Sequence, residues 1–450
     1  MPDRPHPRIP RRPGLPAGPR PHPHLPPRPW PRLPNRPRGG AIRLGLLLAI
    51  LGPGLVSGFA DNDAGGIATY SLAGIQFGYD LLWVILASQI VLFFTQEVGA
   101  RLGLATGQGL TGLVRGRYGV RWAAFVALLM LVANLGTTLA EFAGIGAALS
   151  LFGVPIAVSA VLSAVAMVLL VSRGSFGRVQ LLFVAVGIAV SLAYFASAVL
   201  AKPDWGLAAT RLVIPKLSAA PLYWLAVVGT VGTTITPWGQ AFIQAYVVDK
   251  GLGAKQLLGE RVDVALGSFL TNVIAGFIVV ACAATLWASG QTNITDVAQA
   301  AKALGPLAGS SATFLFAGGL LAASLLGLGV VPLTSAYTVC EAFGWEAGVQ
   351  WRWRDAPAFY GLLAFFVGFG ALVVLIPGLP LFQVIVLSQV LNGLLLPFIL
   401  VFVMLLARDR SLMGELRSGR VLTVIGWGVT VILAGMSIVL IYVALVPPAA

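Results

Sequence analysis

Eleven apolar stretches follow one another from residue 43 to residue 447, most of them at or beyond the roughly 20 residues a helix needs to cross a bilayer. They lie near 43–77, 80–101, 120–150, 154–172, 179–201, 221–248, 262–288, 311–341, 357–377, 381–407 and 421–447. The expected fold class is therefore all-α integral membrane, with about eleven transmembrane helices. Several stretches are longer than a bilayer requires, which predicts tilts, breaks or protruding ends. Composition agrees: only 10% of the 450 residues are charged and 58% are hydrophobic, where a soluble domain carries about a quarter charged. The two cysteines, Cys282 and Cys340, sit in apolar runs, so neither a disulfide framework nor a cysteine zinc site is supported.

The formal charge of +13 is unevenly spread. Residues 1–43 contain ten arginines and one acid, Asp3, and the first 38 residues hold 15 of the 29 prolines and all three histidines. Residues 1–42 are thus expected to be a disordered cytoplasmic tail that touches anionic lipid, rather than a nucleic-acid arm or a cleaved signal. With the tail inside, alternate loops place 25 of the 29 Lys and Arg residues on its side; Lys202, Arg211, Lys216 and Lys302 remain for the other. That bias predicts a cytoplasmic N-terminus in the cell (inner or plasma) membrane, and an odd span count puts the C-terminus outside.

Two spans are interrupted. The first reads Asp61-Asn62-Asp63-Ala64-Gly65-Gly66, and the sixth reads Thr233-Thr234-Ile235-Thr236-Pro237-Trp238-Gly239-Gln240. Glycine relaxes the backbone and proline lacks a donor, so Gly65, Gly66, Pro237 and Gly239 are the expected helix breakers. Proline kinks made for packing would explain the sixth span, but not two carboxylates inside the first. Broken backbone at membrane depth is tolerated where it lines a cavity, and two breaks five spans apart point to inverted repeats meeting at a midplane site. The repeats would cover about 43–201 and 221–407 of a transmembrane region 43–450, with an extra helix near 421–447.

Asp61 and Asp63 have no Lys or Arg within either broken span. A carboxylate in hydrocarbon costs several kcal/mol without a partner, roughly 3 kcal/mol or more. A bound divalent cation is one solution, and structural or protonated acids are the other. Hard carboxylate and carbonyl oxygens suit Mg²⁺, Ca²⁺ or Mn²⁺. Glu97 is expected to pair with Arg101 one helical turn on. Glu141 has no local partner and is a candidate for ion or proton passage. Gln389 and Asn392 could serve the site or act as interhelical hydrogen-bond glue.

These segments resemble the NRAMP family of divalent-metal transporters. The resemblance is carried by Asp63-Ala64-Gly65-Gly66-Ile67-Ala68-Thr69, Phe77-Gly78-Tyr79-Asp80-Leu81-Leu82-Trp83-Val84, Arg101-Leu102-Gly103-Leu104-Ala105-Thr106-Gly107, Glu141-Phe142-Ala143-Gly144 and Leu387-Ser388-Gln389-Val390. It runs from about Arg43 to the chain end and implies a LeuT-like fold of 5+5 inverted repeats with helices one and six broken. The departures are chemical. The family's Asp-Pro-Gly-Asn is here Asp63-Ala64-Gly65-Gly66, so the metal-binding Asp is kept as Asp63 while the ligand Asn is Gly66. Its Met-Pro-His is here Thr236-Pro237-Trp238, so the ligand Met is Thr236 and the proton-handling His is Trp238. Thr233 would supply a backbone carbonyl. Where the family often has an Asp three residues before its Glu, this chain has Thr138, with Glu141 retained.

Losing a thioether removes the preference for transition metals, and a roomier oxygen site suits Mg²⁺, which keeps several waters. The pattern is most similar to the NRAMP-related magnesium transporter branch. The resulting expectation is a carrier importing Mg²⁺, and Mn²⁺ with it, by alternating access. Asp63, Asp61, Thr233, Thr236 and Gln389 would hold the ion. No histidine lies beyond His24, so uptake is expected without proton coupling, Glu141 being the remaining candidate. The rivals are a proton-coupled Mn²⁺/Fe²⁺ importer, an amino-acid or other organic-solute carrier on the same fold, and a non-transporting receptor or scaffold. No nucleophile–base set, phosphate loop or cofactor fingerprint suggests an enzyme. The expected partners are the metal ion and the lipid bilayer; a monomer is plausible.

Overall fold

The computed structural model of the protein describes residues 53–172, 176–292, 300, 303, 305, 309–349 and 351–445. The expected tail, the first ten residues of the first span, and Lys302 lie outside the described residues. Every regular element among those described is helical. The first span is a pair of half-helices, α1 (Pro53–Ala60) and α2 (Ala64–Phe77). There follow α3 (Leu82–Thr106), a short connecting α4 (Leu110–Tyr118), α5 (Val120–Ser150), α6 (Ile156–Ser172), α7 (Phe176–Leu200) and a second connector, α8 (Trp205–Val213). The sixth span is again a pair, α9 (Pro221–Thr234) and α10 (Pro237–Asp249). The rest comprises α11 (Leu257–Cys282), α12 (Ala312–Phe343), α13 (Pro357–Val374), α14 (Leu381–Ala407), the single turn α15 (Arg410–Met413) and α16 (Arg420–Leu445). Each of the eleven expected spans thus has its helix or pair of half-helices. Among the described residues, seven helices are long and apolar enough to cross a membrane by themselves.

Between helices in lipid there is little hydrophobic gain, so association depends on close packing of small residues. Glycines allow such close packing at several crossings. A methyl on Gly232 of α9 would overlap the backbone carbonyl of Gln389 and the backbone of Gly393 on α14, while Gly393 in turn rests on Val228 of α9. Gly54 and Gly58 of α1 lie against Val264 and Gly267 of α11 in the same way, and Gly74 of α2 lies against Val279 of α11. Polar contacts lock the α1–α11 crossing and join α2 to α9. Asp263 of α11 accepts from the Gly54 N–H at 2.6 Å, meeting one of the unpaired donors at the start of α1. Tyr70 of α2 hydrogen-bonds Thr234 of α9 at 2.8 Å.

Ion pairs sit towards the helix ends and join loops that the charge bias assigns to one side. Asp80 meets Arg211 at 3.1 Å and Lys216 at 2.9 Å, whereas Arg117 meets Asp409 at 2.7 Å. Glu97 pairs with Arg101, as expected, and also with Arg261 of α11 at 2.7 Å. The outward face of α16 exposes Val424, Val431, Ile432, Ile438 and Tyr442, as a surface against acyl chains would.

The backbone contact at Gly232 gives a direct check. Gly232→Val is expected to destabilise the purified protein by more than about 3 kcal/mol, because neither opposing group is a movable side chain. Gly361→Ala, on a face of α13 with nothing within 4 Å, is expected to leave stability level or raise it by about 0.5 kcal/mol. Thermal unfolding in detergent compares the two.

Candidate functional site

The two interruptions are capped, not merely loosened. α1 ends at Ala60, the chain passes through Asp61–Asn62–Asp63 outside helical geometry, and α2 begins at Ala64. Asp63 is extended, and its Oδ1 accepts from the Gly66 N–H at 2.8 Å. On the facing segment α9 ends at Thr234, and Thr236, also extended, accepts from the Gly239 N–H at 3.1 Å to start α10. A side-chain oxygen that takes the N–H three residues on substitutes for a helical acceptor and starts a new helix there.

This corrects the expected breakers. Gly65, Gly66, Pro237 and Gly239 all lie in the first turns of α2 and α10; the unwound residues are Asp61, Asn62, Asp63, Ile235 and Thr236. The glycines are needed for proximity instead. A methyl on Gly65 would collide with the Gln389 carboxamide, one on Gly66 would lie 2.8 Å from the Asp61 carbonyl oxygen, and one on Gly239 would lie 2.8 Å from the Thr236 hydroxyl. Pro237 is the first residue of α10, where its missing N–H costs nothing. That same missing donor deprives the Thr233 carbonyl, four residues back, of its helical hydrogen bond.

The three acids occupy different environments, though all are closed off: Asp61 and Glu141 are 0% exposed and Asp63 is 1%. Asp61 ties the two interruptions together. Its Oδ1 accepts from the Thr236 hydroxyl at 3.3 Å and its Oδ2 from the Gln96 carboxamide of α3 at 3.4 Å. Asp63 spends Oδ1 on Gly66, while Oδ2 receives no donor. Glu141 of α5 is likewise half satisfied: Oε2 accepts from the Ala64 N–H at 3.4 Å, and Oε1 receives nothing. These two side chains lie within hydrogen-bonding reach of each other. Gly327 of α12 makes room for the glutamate, since a methyl there would sit 2.6 Å from its carboxyl group. Facing carboxylates in low dielectric cannot both stay charged without a cation between them or a proton on one.

Uncharged polar side chains lie beside Gly65 and Gly66. The Thr233 hydroxyl is buried, without a partner, and lies across from Gly66. Gln389 rests on Gly65, accepts from Asn392 at 3.0 Å and donates to Ser388 at 2.9 Å. Asn392 also donates to Thr137 of α5 at 2.9 Å, so it ties α14 to α5. Trp238 is fully buried in a cluster with Ala60, Phe242, Leu326, Val330 and Val331, so an apolar plug fills that place. Three residues escaped the sequence reading. Gln96 holds Asp61 and also donates to Ser57 at 2.9 Å. Asn62 and Gln240 are buried with both amide atoms unpartnered. The available signal was an uncharged amide in apolar or broken sequence, which charge counting passes over.

No three His, Cys, Asp or Glu side chains among the described residues form a ready-made metal cluster. The groups at this site are the Asp63 and Glu141 carboxylates and the Thr233 hydroxyl, a hard oxygen set with few charges. Such a set suits a hard divalent cation that keeps part of its water shell.

The chain matches the family described as "Natural resistance-associated macrophage protein-like" (Nramp) over residues 54–443. It is 31% identical over 401 residues to the divalent metal cation transporter MntH of Deinococcus radiodurans, covering 87% of this chain and 89% of that one. The MntH of Yersinia pestis is 30% identical over 406 residues, covering 87% and 94%. Among solved structures, the Eremococcus coleocola manganese transporter superposes with a TM-score of 0.73 at 22% identity, over 92% of this chain and 91% of that one. Mhp1, a nucleobase-cation-symport-1 family transporter, superposes at 0.55 and 15% identity over 88% of this chain and 90% of that one. The architecture, with two broken helices five spans apart, is the LeuT-like one that these neighbours share. The chain is an integral membrane protein of the Nramp family.

Proposed function

We propose that the protein carries divalent metal cations across the membrane by alternating access, with Mg²⁺ and Mn²⁺ as its ions and import as its direction. One observation supports this most strongly: Asp63 and Glu141 present two undonated carboxylate oxygens, wholly buried, where α1 gives way to α2. In this reading Asp63 binds the ion, with the Thr233 carbonyl, its hydroxyl and Gln389 contributing oxygens. Asp61 and Thr236, which bond each other, hold the two interruptions in register and add charge and oxygen around the ion. The relatives are named for divalent metal or manganese transport, and Thr236 and Trp238 take the places of soft or basic ligands, which leaves an oxygen site favouring Mg²⁺. Entry of a divalent ion down the membrane potential gains about 4.6 kcal/mol per 100 mV, so no proton is required to drive it. The tail side, by the charge bias, is the cytoplasm.

A second reading has its own observation. The Asp63–Glu141 contact is a place where a proton could sit when no metal does. Metal arrival would then displace that proton, as in a proton-coupled Mn²⁺/Fe²⁺ importer.

Proteoliposomes with an internal metal indicator and an internal pH dye separate these readings. Asp63→Ala is expected to lower Mg²⁺ and Mn²⁺ uptake by at least about 100-fold, the loss of roughly 3 kcal/mol of ion stabilisation; uptake at the native rate would overturn the assigned site. For the native protein, Mg²⁺ uptake is expected to follow an imposed potential with no change inside of pH. Glu141→Gln is expected to keep that flux within about threefold, since a carboxamide still offers an oxygen. Internal acidification that accompanies metal uptake and vanishes in Glu141→Gln would establish the coupled reading instead.

A further inference from the structure

Beyond the buried site, a concentration of unpaired charge lies where α14 ends and α16 begins. Arg408, Arg410, Arg417 and Arg420 line a cleft of about 890 Å³ together with Ser418, Thr423 and Trp427. None of the four is in an ion pair among the described residues; the nearby Asp409 is engaged by Arg117 and Ser411. The cleft also has unsatisfied polar atoms within it. Ser418 is 4% exposed, yet its hydroxyl has no partner, and Nε of Arg417 is buried and without an acceptor. Four guanidinium groups with no carboxylate partner among the described residues, beside a buried hydroxyl, present donors to an anion with several oxygens, and the forked donors of arginine match phosphate in particular.

The segment bearing these groups is already fixed in place. Ser418 N–H donates to the Ala407 carbonyl at 3.2 Å, Arg101 donates to the Leu416 carbonyl at 3.5 Å, and Met413 is buried in a cluster with Leu102, Leu110 and Phe402. Little ordering cost therefore remains for a ligand. The cleft's other wall is the membrane-facing side of α16: Val424 is 72% exposed beside Trp427, and tryptophan is the side chain favoured at the headgroup level. A soluble phosphate would use the arginines and leave that apolar wall bare. A ligand with a phosphate at one end and acyl chain at the other uses both.

We propose that this cleft is a binding site for an anionic phospholipid, its phosphate held by Arg408, Arg410, Arg417, Arg420 and Ser418 and its acyl chains along Val424. The inference stands apart from the transport site and needs no metal.

The test uses the full chain in nanodiscs of phosphatidylcholine with or without phosphatidylglycerol. Retained lipid is counted by native mass spectrometry after extraction into detergent. The native protein is expected to keep phosphatidylglycerol selectively. Replacing all four arginines by glutamine is expected to lower that retention by at least about tenfold, because each basic residue near an anionic surface contributes to holding the lipid. Ser418→Val, which leaves the charges in place, is expected to lower it by about threefold, the effect of one hydrogen bond. Arg352→Gln with Arg354→Gln, two exposed arginines outside the cleft, is expected to change nothing. Equal loss in this control, or retention by the fourfold variant, would overturn the proposal. So would inorganic phosphate raising the unfolding temperature in phosphatidylcholine alone while phosphatidylglycerol adds nothing, for then the occupant would be soluble phosphate. The fourfold variant must elute and unfold as the native protein does; if it does not, the Ser418→Val result decides.

Discussion

A helix that stops inside hydrocarbon leaves N–H and C=O groups that water cannot reach, and each must find a partner within the protein or be offered to a ligand. The chain meets this demand twice, with side chains of the interrupted segments themselves. Asp63 takes the Gly66 N–H, and Thr236 takes the Gly239 N–H. Asp61 then accepts from Thr236, so the two interruptions hold each other. The Thr233 carbonyl receives no helical hydrogen bond from four residues on, because Pro237 has no N–H to give it.

The same accounting separates the acids. Asp61 has a donor on each oxygen and is electrostatically a brace. Asp63 and Glu141 each retain one oxygen without a donor, at 1% and 0% exposure. Buried charge of this kind is costly unless something positive accompanies it, and that imbalance is the physical basis of the proposed ion site. The surroundings fit the proposal in chemistry. Sulfur and imidazole are absent from the positions where the family places them, and Trp238 packs apolar surface where a base would stand.

Rigidity comes from elsewhere. Backbones touch at Gly232–Gln389 and at Gly54–Val264, so α9 is bound to α14 and α1 to α11 at the closest distance helices allow. Small shifts at such contacts are not absorbed by side chains, which is why motion in this architecture is expected as rocking of whole groups of helices rather than local bending. The Glu97–Arg101–Arg261 cluster adds charge-assisted bonds between α3 and α11.

Spans, breaks and the aspartates at the first break could be read from the residues alone, because hydrophobic length and stranded charge are local properties of a chain in lipid. The pairing of Glu97 with Arg101 was legible for the same reason: they are one turn apart. What governs the interruptions was not. Gly65, Gly66 and Gly239 read as flexible backbone, but they are close-approach positions: Gly65 meets Gln389 from a distant helix, while Gly66 and Gly239 meet Asp61 and Thr236 of their own interruptions once the chain has turned there. Glu141 and Asp63 are 78 positions apart, Asp61 and Gln96 are 35 apart, and only packing decides which carboxylate is left short of donors. Sequence determined where charge enters the membrane; tertiary structure determined which of those charges remains uncompensated, since compensation is a sum over neighbours that no single helix contains.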